Sequence, residues 1–347
     1  MQQKAGTFHT GSLNSATWLS YFLALLLVGL GACRALDGDE NFVPNQAGTF
    51  VLVELVNDSS TVLYVTGEGK VDTFWSEVRG LRYPRCLAYD GNNDILWVGD
   101  SARNTLYRYR HGRSAHDATI FTRCSPNAVA IGQHHIICAT AREDGCSSLI
   151  FAKRSDRRDR RTIDVAYQAR YLLLNRGKVW VVANDSVMVY DEQAATLEAT
   201  VPVPFPVIDA SFDQNFRLEL TLNNGGQRRR YRINNFSYEP LRNPQEVNYR
   251  KRRVSTLRKQ HYGREFLGEA ILQNSGELVL SKPGFPLGAP VPDSILDFDI
   301  SYFFSDVFFI RNDSLFRQHL PSGDRTVVLT GVAKVLQLGS AFRLRNK

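Results

Sequence analysis

Three consecutive stretches of the chain repeat one pattern, and that repetition restricts the fold more than any other feature. Residues 84–100 with 105–110, residues 126–140 with 148–153, and residues 169–184 with 186–191 read alike. A short apolar strand runs into a polar turn. A second apolar strand ends in small or acidic residues, and a third alternates apolar with polar. Ile95, Ile137 and Val179 mark the pattern at 42-residue steps. A unit this small cannot bury its own apolar face, so it must stack against copies of itself. Weaker copies occupy residues 208–222, 268–280 and 298–317, and residues 49–75 add one more ahead of them.

A period near 42 suits a four-stranded propeller blade of about 40–45 residues. The reading is therefore all-β: a six- or seven-bladed β-propeller over residues 48–347. Val, Ile, Tyr, Phe and Trp dominate the strands, and turns such as Asp90-Gly91 and Asn224-Gly225 bound them. Helical periodicity is scarce after residue 45. Segments 335–338 and 341–345 are expected to pair with the N-terminal blade, because closure removes the ring's exposed edges. A large β-sandwich or a pair of small β-domains is the alternative. The chain has 347 residues, 43% of them hydrophobic, which is enough for a sizeable core.

The N-terminus sets the expected compartment. Residues 18–30 are an apolar run, too short for the roughly 20 residues of a spanning helix. The length suits the apolar core of a signal peptide. Leu30, Gly31, Ala32 and Cys33 resemble the lipobox of bacterial lipoproteins. The resemblance implies removal of residues 1–32, acylation of the Cys33 thiol, and a lipidated tether over 33–47. Each buried methylene contributes about 0.8 kcal/mol, so several acyl chains hold firmly. Arg34 at the second mature position implies sorting to the outer membrane. The cluster Asp37, Asp39 and Glu40 resembles the export signal of Bacteroidetes surface lipoproteins, and a periplasmic or a surface location stays open.

Residues 48–54, 95–101 and 104–109 resemble the opening strand and the repeated strand pair of YncE-like and YVTN-type propellers, including Bacteroidetes lipoproteins. The resemblance covers about residues 48–345 as architecture, and only residues 84–191 carry a readable repeat signature. Such propellers mostly bind ligands or partner proteins, and a few are hydrolases, so the fold by itself names no function.

Charge and cysteine add candidates. Lys and Arg number 42 against 35 Asp and Glu, a formal net charge of +7. One basic run spans residues 153–161, where a blade turn belongs. Another comprises Arg228, Arg229 and Arg230, then Arg250, Lys251, Arg252 and Arg253 across an expected insertion at about 234–264. Arginine donates bidentate hydrogen bonds to phosphate, which makes these residues candidate contacts for a polyanion. Tyr231, Tyr238, Tyr249 and Tyr262 are placed to stack on its rings. The bland alternative is a solvated loop. For an exported chain an anionic glycan or lipid headgroup is a better partner than nucleic acid. Cys124 and Cys146 are the loop-borne candidates for a disulfide, whereas Cys86 and Cys138 sit in apolar runs that suit buried thiols.

No His-Glu-x-x-His, Gly-x-Ser-x-Gly or phosphate-binding loop occurs, and no cofactor is implied. The adjacent His134 and His135 have no second ligand cluster and read as surface histidines. Glu54, Asp100, Asn184 and Asp299, near strand ends, are the candidates for a divalent ion in an axial channel. Three functions follow. The first is a lipid-anchored binding or assembly module for a partner protein, glycan or small ligand. The second is a metal-dependent, lactonase-like hydrolase with an axial site. The third is an envelope protein that binds anionic glycolipid through its arginine-rich insert.

Overall fold

A computed structural model describes residues 45–71, 81–90, 93, 95–110, 115–141, 147–165, 167–213, 215, 217–234, 245–259, 263–282, 290–301 and 305–343. Over these residues the chain is all-β apart from one 3-10 turn, and it forms a seven-bladed β-propeller. The chain opens with β1 (Asn45–Leu55) and β2 (Ser60–Thr66). Blade 1 comprises β3 (Pro84–Asp90), β4 (Ile95–Asp100), β5 (Thr105–Arg110) and β6 (Ala118–Phe121). Blade 2 comprises β7 (Ser125–Ile131), β8 (His135–Ala141), β9 (Ser147–Lys153) and β10 (Arg160–Val165). Blade 3 comprises β11 (Tyr171–Asn175), β12 (Lys178–Val182), β13 (Ser186–Asp191) and β14 (Thr196–Pro202). Blade 4 comprises β15 (Val207–Phe212), β16 (Leu218–Asn224), β17 (Gln227–Ile233) and β18 (Gln245–Glu246). Blade 5 has three strands among the described residues, β19 (Tyr249–Lys259), β20 (Gly263–Gln273) and β21 (Leu278–Ser281). Blade 6 comprises β22 (Asp297–Ile300), β23 (Asp306–Arg311), β24 (Ser314–His319) and β25 (Arg325–Thr330). The last strand, β26 (Val332–Arg343), pairs with β1, and β1 with β2, to make blade 7.

Blade 7 closes the ring from both ends of the sequence, as expected. β1 and β26 run antiparallel from Asn45 opposite Arg343 to Leu55 opposite Val332. Joining segments this far apart carries a loop-closure cost that grows only slowly with length. The ladder repays it by satisfying backbone groups that an open ring would expose. The first strands of blades 1 to 6 and β26 of blade 7 form the inner ring. Along that inner ring β26 packs on β3, β3 on β7, β7 on β11, β15 on β19, β19 on β22 and β22 on β26.

Ile95, Ile137 and Val179 all fall on the second strands of consecutive blades, but not at equivalent points. Ile95 and Ile137 face the following blade, whereas Val179 faces the preceding one. The register-matched residues are Val98, Cys138 and Val181, opposite Leu87, Val129 and Leu172 of the first strands. Their spacing is 40 and then 43 residues. Strand side chains alternate faces, so a one-residue slip moves a residue to the other side of the blade. The match is closer at the strand starts. Pro84 and Pro126 both sit at a β-bulge, each followed by a register shift.

Six apolar clusters fill six of the seven junctions between blades among the described residues. The junction of blades 3 and 4 is typical. Fully buried Trp180 meets Phe212 edge-on at 5.8 Å, above Val207, Leu218 and Leu220. Edge-to-face contact adds about 0.5–1.5 kcal/mol beyond area burial. Between blades 4 and 5 no such cluster forms among the described residues; charged side chains occupy that junction.

Residues 249–259 and 263–264 of the expected insertion belong to the ring itself, as strands β19 and β20. Their charge hides a strand from a reading based on apolar alternation, and the reason lies in what they face.

Candidate functional site

Strand β19 carries four consecutive cations along the inner ring, and each meets a partner on a neighbouring strand. Arg250 donates from Nη2 to Ile295 O at 2.7 Å and from Nε to Gln273 O at 3.3 Å. Lys251 Nζ lies 2.9 Å from Asp297 Oδ1 on β22. Arg252 forms a bidentate pair with Glu269 on β20, at 2.7 and 3.0 Å, and also pairs with Glu219 on β16. Arg253 Nη1 reaches both oxygens of Asp209 on β15, at 2.9 and 3.1 Å, and its Nε lies 3.4 Å from Asp299 on β22. The Arg252 backbone N–H also donates to Asp209 Oδ2 at 3.1 Å.

The carboxylates explain why the cations are there. Asp209 and Glu219 are 5% and 3% exposed. A carboxylate that deep is costly unless it is paired and hydrogen-bonded. Glu219 also takes Arg232 Nε at 2.9 Å and lies 3.6 Å from Arg230. Burial opposes the charge on Arg253, but Asp209 and Asp299 outweigh it and raise its pKa. Tyr171 adjoins the same cluster and donates to Ile208 O at 2.7 Å. Burial, then the charge of Asp209, pushes its phenol up to about 12. The result is an ionic seam across blades 4, 5 and 6.

The seven residues proposed as polyanion contacts therefore divide. Arg230, Lys251, Arg252 and Arg253 have their charge met by carboxylates within the ring. Arg228, Arg229 and Arg250 bond to backbone or amide oxygens. Burial, then the neighbouring Arg250, lowers the pKa of Arg228. The stacking role fails for two tyrosines. Tyr231 and Tyr249 are buried, and Tyr231 donates to Pro202 O at 3.1 Å. Tyr238 and Tyr262 lie outside the described residues.

Among the strand-end candidates for an axial ion, the carboxylates of Glu54, Asp100 and Asp299 form no metal-binding group among the described residues. Glu54, Asp100, Asn184 and Asp299 belong to blades 7, 1, 3 and 6. Asp100 is fully buried and caps the 3-10 turn at Ser101–Arg103. Its carboxylate accepts from the backbone N–H of Arg82, Tyr83 and Ala102 at 2.8, 3.1 and 3.1 Å. Among the described residues no three His, Cys, Asp or Glu side chains gather as a metal-binding group.

The histidine pair divides: His134 is exposed, as expected, but His135 is not a surface residue. His135 is buried, and both His134 and His135 donate backbone N–H to Glu192 Oε1, at 2.9 and 2.7 Å. Glu192, in the β13–β14 turn, is 1% exposed and reaches across to the β7–β8 turn of blade 2. Gly132 makes room for it, because a Cβ there would lie 2.3 Å from Glu192 Oε1.

Residues 153–161 span the β9–β10 hairpin turn and the strand ends that flank it, as their position in the repeat implied. Beside it runs a groove of about 410 Å³, lined by β6 on one side and by Arg157, Arg158 and Arg160 on the other. Phe121, at the end of β6, is 67% exposed. Cys86 and Cys138 are buried free thiols, as expected; burial pushes Cys86 up to about 12. Cys124 is half-buried and unbridged, and Cys146 lies outside the described residues, as does Cys33.

No protein-family model matches the chain, and no curated protein is similar to it in sequence. Solved structures share its fold. The β-propeller domain of Cps50 (Swd1) from Myceliophthora thermophila aligns with TM-score 0.53 at 12% identity, over 72% of this chain and 86% of that one. A structural-genomics protein from Lactobacillus plantarum aligns with TM-score 0.52 at 13% identity, over 86% and 99%. Hydrazine synthase of Kuenenia stuttgartiensis aligns with TM-score 0.50 at 10% identity, over 68% and 76%. At such identities the likeness is one of fold.

Proposed function

We propose that this chain is a lipid-anchored propeller of the bacterial cell envelope, kin to the YncE-like and YVTN-type lipoproteins, that acts as a binding or assembly module. Acyl chains on Cys33 hold it at the membrane, and its rim engages a partner. The observation that carries this reading is the state of the inner carboxylates. Asp209, Glu219, Asp297 and Asp299 are each held by Arg or Lys of β19. They brace the ring, which favours a structural role for them over a place in a hydrolase site. A rigid ring with variable rim turns is suited to recognition.

Expression of the full chain in a bacterial host that processes lipoproteins tests the anchor. The mature protein should begin at Cys33 with an acyl mass increment, and Cys33→Ser should move it from the membrane to the soluble fraction. Retention of residues 1–32 with no acyl mass would refute the anchor. In-cell cross-linking in the source bacterium tests the module. A stoichiometric partner supports it. A monomer that hydrolyses lactones or esters overturns it in favour of the enzyme.

A second reading rests on Arg228 and Arg250, which lie together with no carboxylate partner among the described residues. They would bind an anionic glycolipid, with affinity that falls steeply as salt screens the charges. Salt-independent binding to lipopolysaccharide vesicles would exclude it.

A further inference from the structure

We propose that the outer edge of β6, which pairs with no further strand among the described residues, is a docking site for an extended acidic peptide segment of a partner protein, which adds as a fifth strand to blade 1. The inference rests on the module reading above and names its site and the chemistry of its partner.

Outer strands of a propeller expose a row of unpaired backbone groups, and proteins guard such edges with charge, proline or bulges. β10, β14 and β25 follow that rule: each carries Arg or Glu. β6 reads Ala-Thr-Ile-Phe and carries no charged residue and no proline. Thr122, just past it, donates its N–H inward to Asn104 O at 2.9 Å. Backbone direction alternates along a strand, so the N–H and C=O of Thr119 and Phe121 point outward. Phe121 O confirms this, because it accepts from Arg160 Nη1 at 3.1 Å.

The guard for this edge stands across the groove. Arg157, Arg158 and Arg160 project from the β9–β10 hairpin of the next blade. Two acids share the hairpin: Asp156 accepts from Arg158 N at 3.0 Å within its own turn, and Asp159 pairs with Lys153. A fence of three guanidinium groups repels basic strands, including those of other copies of this chain with its net charge of +7. The same fence attracts carboxylates. The groove then offers three features in register: strand hydrogen bonds at Thr119 and at the Phe121 N–H, an exposed aromatic anchor in Phe121, and cations for alternate acidic side chains.

The test uses the purified full chain and fluorescent peptides of about ten residues that alternate glutamate with valine, as strand addition requires. Controls alternate lysine with valine, or keep the glutamates and N-methylate every second amide. The acidic peptide should bind and the other two should not. Binding should weaken at least about tenfold in Arg157→Glu/Arg158→Glu, a surface change that leaves the blade's core untouched. Thr119→Pro, which removes one outward N–H, should weaken it as well. Equal binding of the acidic and lysine peptides, or indifference to N-methylation or to the arginine reversals, overturns the docking site. If the acidic peptide fails while an in-cell partner is still recovered with the reversed variant, the site is wrong and the module reading stands. If no partner is recovered either, both fall.

Discussion

The Glu192 clamp between blades 2 and 3 gives a quantitative test of how the ring is held. Glu192 Oε1 accepts two backbone N–H groups at 2.9 and 2.7 Å, and Gly132 leaves the space it needs. A hydrogen bond to a charged group contributes about 1.5–3 kcal/mol. The His135 N–H is buried and loses its full partner in Glu192→Ala, whereas the more exposed His134 N–H is rescued by water. The expected cost is about 2–4 kcal/mol. Gly132→Ala should cost nearly as much by a different route. Its backbone tolerates alanine, since its φ is not positive, but the new Cβ would expel the carboxylate from both donors.

The two changes must therefore couple. With Glu192 already removed the space is empty, and Gly132→Ala becomes neutral or stabilises by up to about 1 kcal/mol through the unfolded chain. Urea titrations of the wild type, both single variants and the double, followed by tryptophan fluorescence, give the cycle. A coupling of about 2–4 kcal/mol is expected. If Gly132→Ala costs the same in both backgrounds, within about 0.5 kcal/mol, the clamp is not what the glycine is for.

Other outcomes follow from the same structure. Arg253→Met should cost about 2–4 kcal/mol in urea titration, because it strands Asp209, and Asp209→Asn in the same chain should recover much of the loss. Iodoacetamide at pH 8 should leave Cys86 and Cys138 unmodified in the native chain and label both in denaturant, as read by peptide mass spectrometry; fast native labelling would contradict their burial. Asp117 is held below its ordinary carboxylate range: burial alone would raise it, but the bidentate Arg108 pair, then Arg110, outweigh that. Its pKa is lower folded than unfolded, so its stabilisation is complete above the unfolded value and is lost as pH falls through the folded one. Asp117→Asn should thus reduce stability at neutral pH and flatten the decline in acid, with little difference from wild type at the lowest pH.

Strand after strand of β-branched and aromatic residues, at a period near 42, suffices to dictate blades, and neither end of such a ring can be left unpaired. Closure by residues 335–343 was legible for that reason. Register was not: Ile95, Ile137 and Val179 look equivalent in composition, yet only bulges and pairing decide which face each takes. Strand β19 escaped because four consecutive cations resemble a solvated loop until Asp209, Glu219, Glu269, Asp297 and Asp299 are brought up from other blades. Glu192 gave no signal at all, since its partners are backbone amides 57 and 58 residues away. Apolar periodicity is a local property and is written in the chain. Charge compensation and edge exposure depend on which strands meet across a junction, and they come into being only when the ring closes.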